Sequence, residues 1–552
     1  MIKVGYLSTL YFSSQMKRKS PLFYSLFFIL FSFLFIQSAV AQEYLFPLNR
    51  DLNTRIESFY EGDSLHFHSA MKPFTVTELK NILPLDSIQS PIVKDSKFNN
   101  TWVGRKLRKE HLLYVDNDDL KLSVDPVFNF QIGRDIVAKN NVYVNTKGLL
   151  IQGSVKDKFY FYTGFHENQA DYVNYINAAI LRDSVVPGQG KTKFIGTKGF
   201  DFSQSYGGIG YTLDRHFDFQ LATDKNFIGD GYRSLLLSDN SYNYPFLKIT
   251  STFWRLKYTV IYAVMQDLKV AHDLDVGFAK KYATFHYLDV NIGKRERLSA
   301  GLFEAVIWKH DPSRGFELNY LNPVLFLRPV ENSIDSPDNE LLGFNMKYRI
   351  NTKNIVYGQL LLDEFLLHEV LKGRGWWANK QAVQVGYKSF HLFGVKNLNV
   401  QTEFNFVRPY TYQHRTTGQN YAQYNQALAH PMGANFIESV SFINYRWRNF
   451  FMEIKHIHSQ SGMDYQGSNT GNDIFLSYDT HPMDYGNFVL QGIVTTTIYN
   501  DIRLSYLLNP KTNFVVEAGV SDRNFKNSLT DLHTQFFYFG IRTSLENYYF
   551  DF

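Results

Sequence analysis

Residues 535–552 read QFFYFGIRTSLENYYFDF, from Gln535 to Phe552. Phe537, Phe539, Ile541, Thr543 and Leu545 fall on alternate positions, with Arg542 and Ser544 between them, which is the period of a half-buried strand. The parity changes near Glu546 and Asn547. Tyr548, Phe550 and Phe552 then carry a second aromatic alternation to the chain end. A soluble protein gains nothing from exposed aromatics on a free C-terminus. The last strand of a closed transmembrane barrel does, because it must face lipid and set aromatics at the interface. The competing reading is an aromatic-rich terminal strand of a soluble sandwich.

Composition agrees with the barrel. The 552 residues include 49 Phe, 37 Tyr and 6 Trp, yet the mean hydropathy is −0.26. That is too polar for a helical membrane protein and fits a wall whose lipid-facing apolar residues alternate with lumen-facing polar ones. The absence of cysteine excludes a disulfide framework, a thiolate metal site and a lipidated cysteine.

Lys17, Arg18 and Lys19 precede the apolar run Leu22–Ile36, which ends at Ala39-Val40-Ala41. This pattern predicts a signal peptide over residues 1–41, with Met16 as the true start and cleavage after Ala41. Its removal takes away four of the 57 basic residues and none of the 52 acidic ones, so the remainder is nearly neutral. The basic balance therefore gives no reason to expect nucleic acid as a partner.

Residues 42–117 do not alternate like barrel strands. Thr75 and Glu78 form a capping-box pattern ahead of a short helix, and Trp102–Leu113 reads as a second, amphipathic and basic one. This segment is expected on the periplasmic side, where it caps the lumen or docks periplasmic machinery. It is short for a transporter plug and has no glycine-rich plug pattern.

From residue 118 to 552 the chain alternates in segments of about ten residues. Strand candidates begin at Leu120, Val142, Phe159, Phe200, Phe217, Phe246, Lys257, Tyr282, Leu298, Leu341, Asn354, Gln381, Asn397, Asn435, Phe450, Thr496, Thr512 and Gln535. Even-numbered strands are followed by short links such as 156–158, 293–297 and 509–511. Most odd-numbered ones are followed by long excursions, including 166–199, 223–245, 408–434 and 460–495. Such alternation belongs to an up-and-down antiparallel barrel of about eighteen strands, with tight periplasmic turns, long surface loops and both termini periplasmic. The cell outer membrane is the expected location, with its lipid as one partner. A barrel of this size has room for an aqueous channel unless loops fill it.

Within the 224–246 excursion, DKNFIGDGYRSLLLSDNSYNYPF, Gly229 and Gly231 allow unusual backbone angles. Leu235-Leu236-Leu237 is an apolar run in a supposed surface loop, which predicts that the loop folds into the lumen. Catalytic patterns are weak. His272-Asp273 and His310-Asp311 are neighbours along the chain and point to opposite faces of a strand. His456 and His458 share a face but lack a third ligand. No nucleophile, metal site or cofactor site stands out, and an enzyme is not expected.

Phe227–Asn240 with Pro245 resembles the signature of the Wzi capsule-assembly family, whose members are eighteen-stranded outer-membrane barrels that hold capsular polysaccharide at the surface. A closer resemblance is to the RemB gliding-motility family of Bacteroidetes. It is carried by Asn322-Pro323-Val324, the run 336–343, Gly375–Lys380, Val407–Tyr412 and Ala429–Asn435. The terminal strand ending in Phe also resembles the assembly signal of outer-membrane barrels.

These resemblances imply a non-enzymatic surface protein, acting in gliding motility or in attachment or assembly of surface polysaccharide, with motility machinery as a further partner. A channel for small solutes is the alternative, and a hydrolase ranks third. The expected polysaccharide site joins the inward loop to the 408–426 loop. Tyr410, Tyr412, Tyr421 and Tyr424 would stack on sugar rings, and Arg233, Asp239, Asn240 and Arg408 would bond hydroxyls or carboxylates. The competing reading of these residues is a layer of loop-to-loop packing with no ligand.

Overall fold

The computed structural model describes residues 45–59, 67–80, 96–156, 158–196, 198–270, 277–293, 295–311, 317–324, 337–543 and 546–552. The expected signal peptide and the His272-Asp273 pair lie outside the described residues.

Apolar–polar alternation over strands of 8 to 17 residues sends one side chain in two to each face. With one face apolar and the other polar, such strands close on themselves when no edge is left unpaired. The strands are β1 (Leu120–Asp135), β2 (Asn140–Val155), β3 (Phe159–Asp171), β4 (Gly199–Thr212), β5 (Phe217–Asp224) and β6 (Tyr244–Phe253). They continue as β7 (Leu256–Asp267), β8 (Ala279–Ile292), β9 (Leu298–Lys309), β10 (Asn339–Arg349), β11 (Asn354–Leu362) and β12 (Gln381–Ser389). The last six are β13 (Leu398–Val407), β14 (Phe436–Trp447), β15 (Phe450–Met463), β16 (Ile493–Asn509), β17 (Phe514–Lys526) and β18 (Asp531–Arg542).

Each pairs antiparallel with its neighbours, and β18 closes the barrel on β1, with Phe536 opposite Asp135 and Arg542 opposite Asn129. All eighteen expected strands are present, and each begins within four residues of its expected first residue.

The outward positions form an apolar belt. Ile132 is 68% exposed, Leu221 58% and Phe539 53%. In a soluble protein that much exposed apolar surface is an aggregation hazard; around a barrel it is the lipid-facing wall. Many inward positions are polar and buried: Asn345 and Lys347 on β10, Gln359 on β11, Glu403 and Asn405 on β13, Glu438 on β14. Polar groups buried in this way require partners, and three segments that fill the lumen supply them.

The first is the N-terminal segment. Helix α1 (Arg50–Phe59) lies against the wall through Arg50, whose guanidinium stands 3.5 Å from the ring centre of Phe442 on β14 and pairs with Glu453 on β15. Asp51 accepts from Arg446 Nη2 at 2.6 Å and Glu57 from Lys388 Nζ at 2.5 Å. In helix α2 (Val76–Lys80) the capping box is formed: Glu78 N donates to Thr75 Oγ1 at 3.2 Å, and Thr75 N to Glu78 Oε2 at 2.8 Å. Helix α3 (Trp102–Arg108) sits at the short-turn end, capped by Thr101.

The second segment is the loop after β5. Phe227–Ile228 forms a two-residue ladder with Met71–Lys72 of the N-terminal segment. Leu235, Leu236 and Leu237 are fully buried in a core shared with the wall residues Phe285, Phe303 and Phe436.

The third segment overturns an expectation. Thr543 and residues 546–552 do not extend the terminal strand, which ends at Arg542; 546–552 run into the lumen. Phe550 packs on Tyr172 at 5.4 Å and accepts from the Tyr175 hydroxyl at 2.5 Å. The carbonyl of Phe552 accepts from Arg523 Nε at 3.0 Å. Aromatic alternation is shared by a lipid-facing strand and by a tail threaded along an aromatic-lined lumen. Buried polar partners, which periodicity does not report, separate the two.

Candidate functional site

Two loops of special geometry build the interior below the long-loop end. Gly229 has φ +146°, a backbone region open mainly to glycine, and Gln359 fills the space a side chain would need. Gly231 is required by room instead: an added Cβ would stand 2.5 Å from Glu403 Oε2. This close approach lets Glu403 accept from the backbone N–H of Tyr232 at 2.7 Å and of Arg233 at 3.2 Å.

Arg233 is then buried at the centre of the barrel. Its Nη2 donates to Glu438 Oε1 at 3.0 Å and lies 3.1 Å from Asp551 Oδ1, with Tyr232 and Tyr549 rings 4.7 and 5.2 Å from its guanidinium carbon. Burial opposes ionisation of Asp551, but Arg233 and Lys455 outweigh it and hold the carboxyl below the ordinary carboxylate range. Asp239 accepts from the Tyr549 hydroxyl at 2.7 Å and from Asn547 Nδ2 at 3.1 Å, and its burial pushes the carboxyl pKa up.

The other sequence-selected residues are engaged internally as well. Asn240 Nδ2 donates to Ala427 O at 3.1 Å. Tyr412 and Tyr421 stack with ring centres 5.6 Å apart and donate to Leu235 O at 2.8 Å and Leu236 O at 2.6 Å. The Tyr410 hydroxyl stands 3.2 Å from Asn487 Oδ1, inside the protein. Arg408 is half-buried and donates through Nε to Asn379 O at 2.7 Å. Tyr424 is half-buried against Tyr242, 4.6 Å between rings. The inward loop and the 408–426 loop do meet, as expected, through hydrogen bonds from Tyr412 and Tyr421 to the backbone of Leu235 and Leu236.

Above this layer the structure brings together side chains that periodicity did not single out. The 363–380 and 464–492 loops converge at Trp377, whose ring stacks on His481 at 4.2 Å, lies 5.2 Å from Tyr478 and stands edge-on to Tyr410 at 6.2 Å. Trp376, Trp377, Tyr478 and His481 are half-buried, Tyr485 is exposed, and Phe488 is 55% exposed. Charged groups rim these rings: Arg374 stands 4.4 Å over Tyr485 and is held by Glu369 at 2.8 Å, His481 meets Asp484 at 2.9 Å, and Arg415 meets Asp479 at 3.3 Å.

Asp363 and Lys380 sit 3.6 Å apart under the platform, both fully buried. The sequence did carry a signal for this platform. Tyr478, His481, Tyr485 and Phe488 recur every three or four residues in an otherwise polar excursion.

Of the histidines considered for chemistry, His456 and His458 are exposed on the outer wall, and His456 Nδ1 meets Asn500 Oδ1 at 2.7 Å. Among the described residues no group of three His, Asp or Glu side chains is arranged to hold a metal ion.

Fold and interior together define a class: an eighteen-stranded antiparallel transmembrane barrel with an inward-folded plug and an aromatic outer platform. No protein-family model and no curated protein matches the sequence. Among solved structures the chain is similar to Wzi, described as an outer membrane protein involved in group 1 capsule assembly in Escherichia coli and as a carbohydrate binding beta-barrel. The identity is 12%, covering 91% of this chain and 100% of that one, with a TM-score of 0.54. It is also similar to OpdK of Pseudomonas aeruginosa, at 9% identity over 77% of this chain and 98% of that one, TM-score 0.42. A likeness at 12% identity is one of fold.

Proposed function

We propose that this protein is an outer-membrane barrel that acts without catalysis at the cell surface, where it holds surface polysaccharide or helps to assemble it. The carrying observation is the Trp377–Tyr478–His481 platform. Flat aromatic faces take the C–H faces of sugar rings, and the flanking Arg374, Asp484 and Arg415 bond hydroxyls and carboxylates. A plugged lumen supports a surface role, and so does a fold shared with a barrel described as carbohydrate binding. On this reading the buried Arg233, Asp239, Asn240, Tyr412 and Tyr421 support the platform from below, Arg408 and Tyr410 anchor its loops, and Tyr424 packs the neighbouring loop against Tyr242. The short turns and both barrel termini face the periplasm, the long loops face outward, and residues 1–41 are removed as a leader.

The test is polysaccharide retention in a deletion strain complemented with Trp377→Ala. A clear loss of bound polysaccharide, with the barrel still heat-modifiable on a gel, supports the reading. Unchanged retention sinks it. A part in gliding motility rests on the RemB resemblance, and colony spreading of the deletion strain tests it: unimpaired spreading removes that role.

One observation favours a second reading. A cavity of about 290 Å³ runs between the C-terminal tail and the wall formed by β1–β3 and β15–β18, lined by Tyr499, Asp501, Arg503, Glu517, Tyr538 and Arg542. A channel for small solutes would pass here. Planar-bilayer conductance decides: a large, steady conductance of the intact protein favours the pore, and a closed barrel favours the surface role.

A further inference from the structure

Helix α3 turns an apolar side away from the protein. Trp102 is 56% exposed, Val103 49% and Leu107 43%, and the preceding Phe98 is exposed as well. At 100° per residue, Trp102, Val103 and Leu107 fall within one arc of about 140°, which also contains Lys106, turned back onto Glu110 and the Tyr114 ring. Gly104, on another side, is buried against the preceding turn, where an added Cβ would stand 1.9 Å from Phe98 O.

The height of the helix is fixed too. Asn509, the last residue of β16, donates through Nδ2 to Lys106 O at 3.0 Å and to Glu110 O at 2.9 Å. At this same end the outer wall carries a girdle of rings: Phe450 lies 4.8 Å from Tyr506 and 6.0 Å from Trp447, and Phe128 lies 5.3 Å from Phe514. Such girdles mark the level where hydrocarbon gives way to headgroups. The apolar arc of α3 therefore continues the lipid-facing wall at headgroup depth.

Charge selects the kind of headgroup. Arg105, Lys106, Arg108 and Lys109 lie in or directly after the helix, with Glu110 as the nearby acid. Each of the eight short turns carries a lysine or arginine, from Lys156 in the first to Lys511 in the last. A cationic rim around an apolar stripe is the pattern of a segment that lies in a membrane interface and favours anionic lipid.

We propose that α3 and Phe98 lie in the leaflet surface around the short-turn end of the barrel and bind anionic phospholipid headgroups there, anchoring the N-terminal segment to the bilayer. This inference needs the barrel to span a membrane but does not depend on the polysaccharide reading.

The chain has no cysteine, so single cysteines report cleanly. Val103→Cys, Leu107→Cys and, as a water-exposed control in a long loop, Ser468→Cys are introduced into the full-length protein and reconstituted in liposomes. The readout is the rate of modification by a membrane-impermeant maleimide. Residues 103 and 107 should react about fivefold more slowly than 468 in bilayers of phosphatidylcholine with phosphatidylglycerol. Most of that protection should be lost in pure phosphatidylcholine, and in Arg105→Gln/Arg108→Gln/Lys109→Gln.

Rates at 103 and 107 equal to that at 468 in both lipids overturn the proposal. So does protection in whole cells that vanishes in both kinds of liposome, since that outcome assigns the face to a protein partner. If the triple variant fails to fold, the comparison of the two lipids on the other variants decides alone.

Discussion

Asp551 Oδ1 lies 3.1 Å from Arg233 Nη2, so the penultimate residue of the chain is clamped to a loop inside the barrel. The same carboxylate accepts from Lys455 Nζ at 2.8 Å and from the Tyr232 hydroxyl at 2.6 Å. Loop, tail and wall thus meet at one buried charge cluster. Arg233→Ala leaves the buried Asp551 and Glu438 without their shared cation. Breaking a buried pair in this way costs about 3–5 kcal/mol. The temperature at which the folded gel band converts to the unfolded one should fall markedly, and an unchanged transition would contradict the clamp.

Barrel closure and tail docking are separable. The β18–β1 ladder uses Phe536–Arg542 against Asn129–Asp135 and takes nothing from the last six residues. Deleting 547–552 should therefore leave a heat-modifiable barrel in the membrane. It should also raise single-channel conductance above that of the intact protein, because Tyr548, Tyr549 and Phe550 no longer fill their part of the lumen. Failure of the truncated chain to assemble would show that the terminal residues serve assembly instead.

Mild acid should not release the tail. The folded-state pKa of Asp551 is depressed, so its contribution to stability is present above the ordinary aspartate value of about 4 and is lost only as pH falls through the lower folded value. Between pH 7 and pH 5, protease sensitivity of the tail should stay constant, whereas Asp551→Asn should be sensitive throughout that range.

Tyr412 and Trp377 should part company. Tyr412→Phe removes a buried hydroxyl that donates to Leu235 O and should cost about 1 kcal/mol of stability, with no change in polysaccharide retention. Trp377→Ala should reduce retention instead, because its ring is half-buried and part of the outer platform. Equal effects of the two variants on retention would dissolve the distinction between support and platform.

The barrel was legible because its signal is local and repeated. Period-two alternation and the contrast of short with long connections recur around the whole wall, so a misplaced strand boundary changes little. The apolar run Leu235–Leu237 likewise marked an inward loop, since three leucines have no solvent-exposed use there.

In the aromatic tail Tyr548, Phe550 and Phe552 keep the strand period, while what fixes the tail is remote: Asp551 finds Arg233 318 residues away in sequence and Lys455 96 residues away. For the platform, the sequence showed aromatic density in two excursions. Only the packed structure decided that Trp377 would meet Tyr478 and His481 at the outer surface while Tyr412 and Tyr421 turned inward to the backbone of the plug. A tyrosine or tryptophan is equally suited to water's edge and to a satisfied interior. Which of the two it occupies depends on partners brought in by distant segments, and those exist only once the barrel has closed around its plug.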